Sequence, residues 1–165
     1  MRRRRRRHSH RKFGKRVATL EEAVAEGQRH VGMTGPANSR VIEAGAIRRF
    51  VEALGDSNPL YTDPEYARQT RWGGIIAPPT FLCTIQAPLT LPDLGFGRVN
   101  LNGGNSYKWH RPVRPGDVIT AQATLVEVRG AQSSSGVLLI LVREIRYTDQ
   151  DGRLVAEGRS TGLRR

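Results

Sequence analysis

The sequence predicts an α+β domain in which a group of helices precedes an antiparallel sheet. Amphipathic and capped segments concentrate in the first half of the chain, whereas branched residues in strand-like runs dominate the second half. Turn signals that contain glycine separate those runs, as they do in sheets built from hairpins. Helices followed by strands, rather than alternating with them, favour segregated layers over a parallel α/β sheet. The 165 residues fit one domain with its own hydrophobic core.

Three segments of the first half carry helix signals. Residues 19–22, Thr-Leu-Glu-Glu, form a capping box for a short helix that runs to about Gly27. A second helix is predicted from apolar residues spaced i, i+3, i+4 and i+7, namely Ile47, Phe50, Val51 and Leu54. Asp63 and Pro64 suit the N-cap and first position of a third helix, which we expect to end near Gln69.

The apolar segment Phe81–Ile85 is interpreted as a central buried helix. It follows the stretch Gly73–Thr80, and Pro88 closes or kinks it. The segment is short for this role unless it continues past the kink to Leu91.

The remaining signals predict strands and the turns between them. Residues 118–128 alternate small and branched side chains, and the apolar run 137–142 is typical of an inner strand covered on both faces. A short early strand at 40–43 and a final strand at 154–161 complete the set. The predicted turns are a type II turn at 114–117, a polar hairpin end at 132–136 and a hairpin turn at 151–152.

The net charge of +12 lies mostly in the first 17 residues. That segment holds ten basic side chains and no acidic one, whereas residues 18–165 carry 17 basic and 15 acidic side chains. The run Arg2–Arg7 repels itself, which predicts a disordered basic tail over residues 1–17 and a nearly neutral domain over 18–165. Such a tail attracts nucleic acid or anionic membranes non-specifically. A dispensable extension is the favoured alternative, so no specific nucleic acid and no membrane is expected as a partner.

Several classes of protein are disfavoured by residues that are absent. The single Cys83 excludes an intrachain disulfide and fits a reducing compartment, so a cytoplasmic location is expected. No apolar stretch approaches the ~20 residues of a spanning helix. His8, His10 and His30 have no metal-ligand spacing with Cys83 or with one another, and no metal is predicted. Neither a nucleotide-binding glycine pattern nor a nucleophile elbow occurs.

Residues 55–61, Gly-Asp-Ser-Asn-Pro-Leu-Tyr, resemble a hydratase active-site loop. The pattern Asp-x-Asn-Pro-x-His after a helix ending in Gly is typical of the MaoC-like, (R)-specific enoyl-thioester hydratases and dehydratases. Asp56 and Asn58 match it, and Tyr61 stands at the histidine. The stretches Gly74–Phe81 and Arg111–Asp117 are also similar, so the resemblance covers about residues 18–163. The chain most resembles the N-terminal domain of fungal fatty-acid-synthase-type dehydratases and the free-standing dehydratase subunits of mycobacterial-type fatty acid synthesis.

The resemblance implies a hot-dog fold, a long curved antiparallel sheet wrapped around a central helix. It also implies 3-hydroxyacyl-thioester dehydration or enoyl-CoA hydration, on CoA or carrier-protein thioesters, with no cofactor beyond that carrier. Family members work as pairs of hot-dog domains with sites at the shared interface, so a hot-dog partner in a hetero- or homodimer is expected. An unpaired sheet edge gives a separate physical reason for a partner.

Two departures from the family pattern affect the expected chemistry. In the family, the Asp and the His hold water and shuttle protons, but a phenol at Tyr61 is a poor relay at neutral pH. A His-Gly pair opens the central helix of active relatives, and the Gly N–H meets the thioester oxygen. That pair aligns with Ala77-Pro78 or Pro78-Pro79, and proline has no N–H. Since losing one such donor costs on the order of 10²–10³ in rate, we expect the chain alone to be catalytically poor.

The candidate catalytic residues are therefore Asp56, Asn58 and Tyr61, with Asp56 expected at a rigid, partly shielded edge. The alternative is that Asp56 and Asn58 only satisfy backbone groups of the turn. The candidate substrate-binding residues are Trp72, Gly74, Ile76, Pro78, Thr80, Arg111 and Arg114. The two arginines could hold phosphates of coenzyme A or phosphopantetheine in a fork, or be ordinary solvated turn residues.

Three functions follow from these candidates. The first is a subunit of a 3-hydroxyacyl-thioester dehydratase or (R)-specific enoyl-CoA hydratase, shaping the acyl channel beside a catalytic hot-dog partner. The second is a non-catalytic scaffold that binds acyl thioesters. The third is a self-sufficient hydratase that uses Asp56 with Tyr61 as hydrogen-bond donor.

Overall fold

The computed structural model describes residues 18–134 and 136–165, which form one curved antiparallel sheet with helices packed on one face. The strands are β1 (Asn38–Val41), β2 (Asn100–Trp109), β3 (Val118–Ser133), β4 (Gly136–Thr148) and β5 (Leu154–Arg164). The helices are α1 (Leu20–Gln28), α2 (Ala44–Leu54) and α3 (Pro64–Gln69), with 3-10 helices at Pro59–Tyr61 and Pro79–Thr84. The order across the sheet is β1-β3-β4-β5-β2, so β1 and β2 form its two edges.

The three α-helices begin or end on local signals that the sequence shows. The Thr19 hydroxyl accepts a hydrogen bond from the Glu22 amide at 3.2 Å, and the Glu22 carboxylate accepts one from the Thr19 amide at 2.9 Å. Helix α2 ends at Gly55, whose φ of 65° is left-handed and costs glycine no steric strain. Asp63 caps α3 by accepting hydrogen bonds from two backbone amides of its first turn. The predicted capping box and N-cap are confirmed.

The core-facing side of the sheet follows from its register, because directly paired residues share a face. On β3 this face carries residues that are fully buried, namely Ile119, Ala121, Ala123 and Leu125. A bulge between Leu125 and Glu127 shifts the alternation, so that Val128 continues the core-facing row. On β4, residues 139–142 are all buried, which confirms this part of the predicted inner strand, whereas Val137 at its start is 42% exposed.

Two apolar clusters fill the space between the sheet and the helices. In the first, α2 packs with the segment after residue 76 and with β3, β4 and β5, and the rings of Phe50 and Phe81 meet edge to face at 5.4 Å. In the second, Ala23 of α1 packs with Leu94 and with Leu125 of β3. We term residues 85–99 the strap, because this segment without regular secondary structure carries Leu94 to the second cluster.

The hot-dog architecture is confirmed, and the predicted central segment Phe81–Ile85 is largely helical but not α-helical. Residues Pro79–Thr84 form a 3-10 helix, and the chain continues into the strap rather than as an α-helix to Leu91. Pro88 lacks an N–H and disfavours a helical conformation in the residue before it, which stops the helix. Phe81, Leu82 and Ile85 are nevertheless buried, so the segment fills the core as expected.

Strand β2 is an element that the sequence signals did not reveal. It is rich in asparagine and glycine, which strands disfavour. It forms because its backbone pairs with β5 over nearly its whole length, with one bulge between Asn102 and Gly104. Strand β3 likewise extends past the predicted residue 128 to Ser133, because β4 pairs with it throughout.

The predicted basic tail, residues 1–17, lies outside the described residues. In the described part of the chain, none of the helices combines the length and the apolar character required to cross a bilayer.

Candidate functional site

Asp56 lies in the turn between α2 and the first 3-10 helix, where its carboxylate stabilises the backbone. Asp56 Oδ1 accepts a hydrogen bond from the Asn58 amide at 3.0 Å, and Asn58 Oδ1 accepts one from the Leu60 amide at 3.1 Å. Both side chains are exposed. The expectation that Asp56 is partly shielded is therefore wrong for the single chain. The last turn of α2 lies at the surface, where Leu54 is 57% exposed, and Asp56 follows it there.

Tyr61 ends the same 3-10 helix but points toward the interior. It is half-buried and packs against the first apolar cluster, which includes Phe81. The turn thus separates two of the candidate catalytic residues, with the carboxylate in solvent and the phenol ring against the core.

The residues that align with the oxyanion-donor position of the family pattern are prolines in either alignment. Pro78 precedes the second 3-10 helix and Pro79 opens it. On either side of the prolines, Ala77 N donates to Val113 O at 2.7 Å and Phe81 N donates to Pro78 O at 2.9 Å. Neither proline can donate to a thioester oxygen.

An apolar cavity of about 210 Å³ brings several candidate substrate-binding residues together. Trp72, Ile76, Pro78 and Arg111 line it. Gly74, Thr80 and Arg114 do not contribute to its lining. Trp109 and His110 do, although sequence reasoning did not place them there.

Trp109 joins the cavity because β2 carries it to the end of the sheet nearest the second 3-10 helix. Its indole Nε1 donates to Pro79 O at 3.0 Å, and its ring stacks on Tyr107 at 5.8 Å. The aromatic residue and the proline pair thus form one wall. The signal in the sequence was a Tyr-x-Trp pair, which is informative only once the strand register is known.

Arg114 holds the loop rather than facing the cavity. Its Nη2 donates to the carbonyl of Trp72, and its backbone amide donates to Asp117 Oδ2 at 2.7 Å. These contacts connect the turn before β3 to the loop that presents Trp72. Arg111, by contrast, is exposed at the cavity rim.

His110 pairs with a carboxylate on the neighbouring strand. His110 Nε2 lies 2.9 Å from Glu157 Oε2, and this hydrogen bond lowers the pKa of Glu157. Both side chains are partly exposed, and their contact joins the end of β2 to β5. In residues 18–134 and 136–165, no cluster of three or more His, Cys, Asp or Glu side chains has the arrangement of a metal site.

Two tyrosines form a neutral hydroxyl pair beneath the second 3-10 helix. Burial raises the pKa of Tyr107 and of Tyr147, and the neighbouring Cys83 raises both further. The two phenol groups therefore stay protonated at neutral pH and act as hydrogen-bonding groups, not as bases.

A larger cavity of about 530 Å³ lies between the strap and the core-facing side of β2, β4 and β5. Arg143, Ser160 and Asn105 line it, together with Leu89 and Leu91 of the strap. None of these residues carries a sequence signal, because their proximity depends on strand register alone.

The match to a known family explains the architecture of these sites. Residues 29–158 match the family described as FAS1-like, dehydratase domain region. The chain belongs to this dehydratase family. The resemblance to MaoC-like hydratases and dehydratases is thereby confirmed.

Curated relatives of this dehydratase chain include proteins without an assigned reaction and one hydratase subunit. A UPF0336 protein of Parafrankia is 37% identical over 118 residues, or 68% of this chain and 76% of the relative. The 3-oxo-4,17-pregnadiene-20-carboxyl-CoA hydratase alpha subunit of Mycobacterium tuberculosis is 30% identical over 140 residues. This alignment covers 72% of our chain and 43% of that subunit.

Solved structures share the hot-dog fold of this dehydratase chain. The ChsH1-ChsH2 complex of Mycobacterium tuberculosis contains a chain with a TM-score of 0.71 and 24% identity, covering 88% of our chain and 95% of that one. The (R)-hydratase of A. caviae gives a TM-score of 0.61 at 24% identity, covering 80% and 94%. At these identities the likeness concerns the fold alone.

Proposed function

We propose that this protein is a subunit of a 3-hydroxyacyl-thioester dehydratase or (R)-specific enoyl-CoA hydratase, and that it shapes the acyl channel beside a catalytic hot-dog partner. The observation that carries the proposal is the loss of two working groups from one site. A core-packed phenol replaces the imidazole at Tyr61, and proline replaces the oxyanion donor at residues 78 and 79.

The chemistry explains why both losses matter. Adding water to an enoyl thioester needs a base for the water, an acid that protonates Cα, and donors for the enolate-like oxygen. Of the three candidate catalytic residues, Asp56 alone keeps the chemistry of a base. Asn58 stabilises the turn, because its Oδ1 accepts a hydrogen bond from the Leu60 amide. The imidazole and the oxyanion donor must therefore come from another chain.

Strand β2 offers the surface for that chain. It is the sheet edge beside β5, and its outer side pairs with no strand among the described residues. Leu101 and Trp109 on it are 43% and 42% exposed. The unpaired N–H and C=O groups of such an edge, beside exposed apolar side chains, form a template for pairing with a strand of another chain. Relatives described as a complex and as an alpha subunit support such a hetero-assembly.

The cavity beneath Trp72 supports a thioester substrate. It is apolar inside and has the Arg111 guanidinium at its rim. This arrangement suits an acyl or pantetheine portion inside, with a phosphate of coenzyme A or of a carrier protein outside. The reaction needs no cofactor besides that carrier, and a cytoplasmic location is consistent with such substrates.

The proposal is tested by assaying crotonyl-CoA hydration with the full chain, alone and together with a hot-dog chain that carries an intact Asp-x-Asn-Pro-x-His motif. We expect negligible turnover by the chain alone and turnover by the pair. Asp56→Asn is compared with Asp151→Asn, which changes an exposed hairpin carboxylate instead. Turnover by the single chain that only Asp56→Asn abolishes would refute the proposal and establish the self-sufficient hydratase.

A non-catalytic scaffold that binds acyl thioesters is the second candidate. The use of Asp56 Oδ1 as a turn acceptor favours it, since that role requires no reaction. The same assay separates the two, because a scaffold binds acyl-CoA but gives no turnover with any hot-dog partner that co-purifies with it.

A further inference from the structure

The core-facing side of the sheet changes from apolar to polar along the strands, between the row that ends at Trp109 and the row that ends at Asn105. Paired residues form rows across β3, β4, β5 and β2, and one row is Ala121, Tyr147, Ala156 and Trp109. Two rows further along, the sequence is Leu125, Arg143, Ser160 and Asn105. A guanidinium therefore occupies a position of the hydrophobic face, next to the fully buried Leu125.

Arg143 has few partners at this position. Its Nη2 lies 3.4 Å from the Oγ of Ser160, a residue that is only 8% exposed. Within residues 18–134 and 136–165, no carboxylate forms an ion pair with Arg143, whereas Arg129, Arg153 and Arg159 each form at least one. A half-buried charge without a counter-charge is costly, so the site is poised to gain from an anion.

The cavity around Arg143 has the size and shape of a ligand site. Its volume of about 530 Å³ lies within the range of about 300–1,000 Å³ that small-molecule sites occupy. The strap forms its apolar wall with Leu89 and Leu91. The sheet side carries Arg143, Arg164 and amide side chains of β2 beside Leu101, Leu141 and Leu163, and no acidic residue lines the cavity.

We propose that this cavity binds the far end of an acyl chain that carries a carboxylate, with Arg143 as the recognition residue. The inference rests on the proposed function in taking the acyl group as ligand, and it adds the chemical class of that group. A plain alkyl chain in this cavity leaves the guanidinium desolvated and unpaired. A carboxylate accepts two parallel hydrogen bonds from the Arg143 guanidinium and neutralises its charge.

The test compares two CoA thioesters with the same number of carbons, octanoyl-CoA and the mono-CoA thioester of octanedioic acid. Binding to the purified full chain is measured by titration calorimetry. We expect the carboxylate-bearing thioester to bind about 10- to 100-fold more tightly, the range that a hydrogen bond to a charged group provides. Equal affinities, or a preference for octanoyl-CoA, would overturn the inference.

Substitutions assign the preference to one side chain. Arg143→Met keeps the length of the side chain and removes its charge, so the preference should disappear. Arg143→Lys keeps the positive charge but not the forked pair of N–H groups, so it should retain part of the preference for the carboxylate. This second variant provides the test if Arg143→Met fails to fold. Arg146→Met, on the exposed face of the same strand, is the matched control and should retain the full preference. A preference that persists in folded Arg143→Met contradicts the inference.

A second pair of ligands separates this inference from the proposed function. If neither thioester binds, the proposed substrate class fails, and free octanedioate is compared with octane-1,8-diol. A preference for octanedioate that depends on Arg143 supports the cavity as a carboxylate site. Without such a preference the inference fails as well.

Discussion

Tyr61 lies at the position where the family pattern has its histidine, and its surroundings explain what that exchange changes. The ring packs against the apolar cluster that contains Phe81, so it contributes to stability as well as replacing a proton relay. An imidazole there would regain a group that titrates near neutral pH. It would not regain the oxyanion donor, because Pro78 and Pro79 remain.

We therefore expect Tyr61→His alone to show no gain in crotonyl-CoA hydration. The missing donor by itself lowers the rate on the order of 10²–10³. The exchange should also lower the free energy of unfolding by about 1–3 kcal/mol, because apolar contact is lost. The measurements are turnover of the purified chain and its urea midpoint, with Tyr61→Phe as the control that keeps the ring. Substantial hydration by Tyr61→His without a partner would show that the proline pair is not a defect.

Among the site residues, those that lie close together in the chain could be predicted from the sequence. The turn at Asp56 and Asn58 was recognisable, because its hydrogen bonds join residues two apart. Arg143, Ser160 and Asn105 were not, because three strands distant in sequence bring them together. The exposure of Asp56 was also missed, since it depends on where α2 ends relative to the sheet.

Among the elements, the strap has no regular secondary structure, yet it packs closely against the rest of the domain. It crosses the loop before β1 at Gly35, where an added Cβ would lie 1.9 Å from Pro88 O and 3.0 Å from Pro88 C. Gly35 is buried, and its amide donates to Ala123 O at 2.9 Å. The loop is therefore fixed between β3 and the strap, and the neighbouring atoms are backbone that cannot rotate away.

Gly35→Ala should consequently destabilise the domain by about 1–3 kcal/mol or more, the cost of forcing a methyl group into a packed site. Chemical denaturation of the two proteins measures the difference. Gly45→Ala is the control, because its Cβ would meet only the flexible Arg49 side chain in α2. There alanine favours the helix by up to about 1 kcal/mol. Equal midpoints for Gly35→Ala and the unchanged protein would mean that the strap does not press on this loop.

Local chemistry also decides which elements were predictable. Helices α1 and α3 were predictable from the sequence, since the residues that form each cap lie within four positions of one another. Strand β2 was not, because Asn and Gly carry no strand signal and its partner β5 lies some 50 residues away. The central segment was predicted as a buried helix, but its 3-10 form was not foreseen. Apolar residues indicate burial, whereas the prolines around them decide the backbone.

For the whole molecule, the free sheet edge at β2 determines where a second chain can add to the sheet. Within the described residues, β1 and β2 are the two edge strands, and the longer edge strand β2 exposes Leu101, with Val99 just before it. If a second hot-dog chain adds to this edge, the apolar side chains become buried and a charge among them is costly.

Leu101→Lys should therefore weaken assembly with the catalytic partner by about tenfold or more, while leaving the fold of the single chain intact because the residue is 43% exposed there. Val31→Lys is a matched control, since Val31 is 45% exposed and lies in the loop after α1 rather than on β2. Titration of the labelled partner against each variant gives the dissociation constants, and thermal melting checks the fold. Unchanged affinity for Leu101→Lys, or an equal loss for Val31→Lys, would exclude β2 as the assembly edge. The partner would then have to bind another surface, such as the sheet edge at β1 or the helical side.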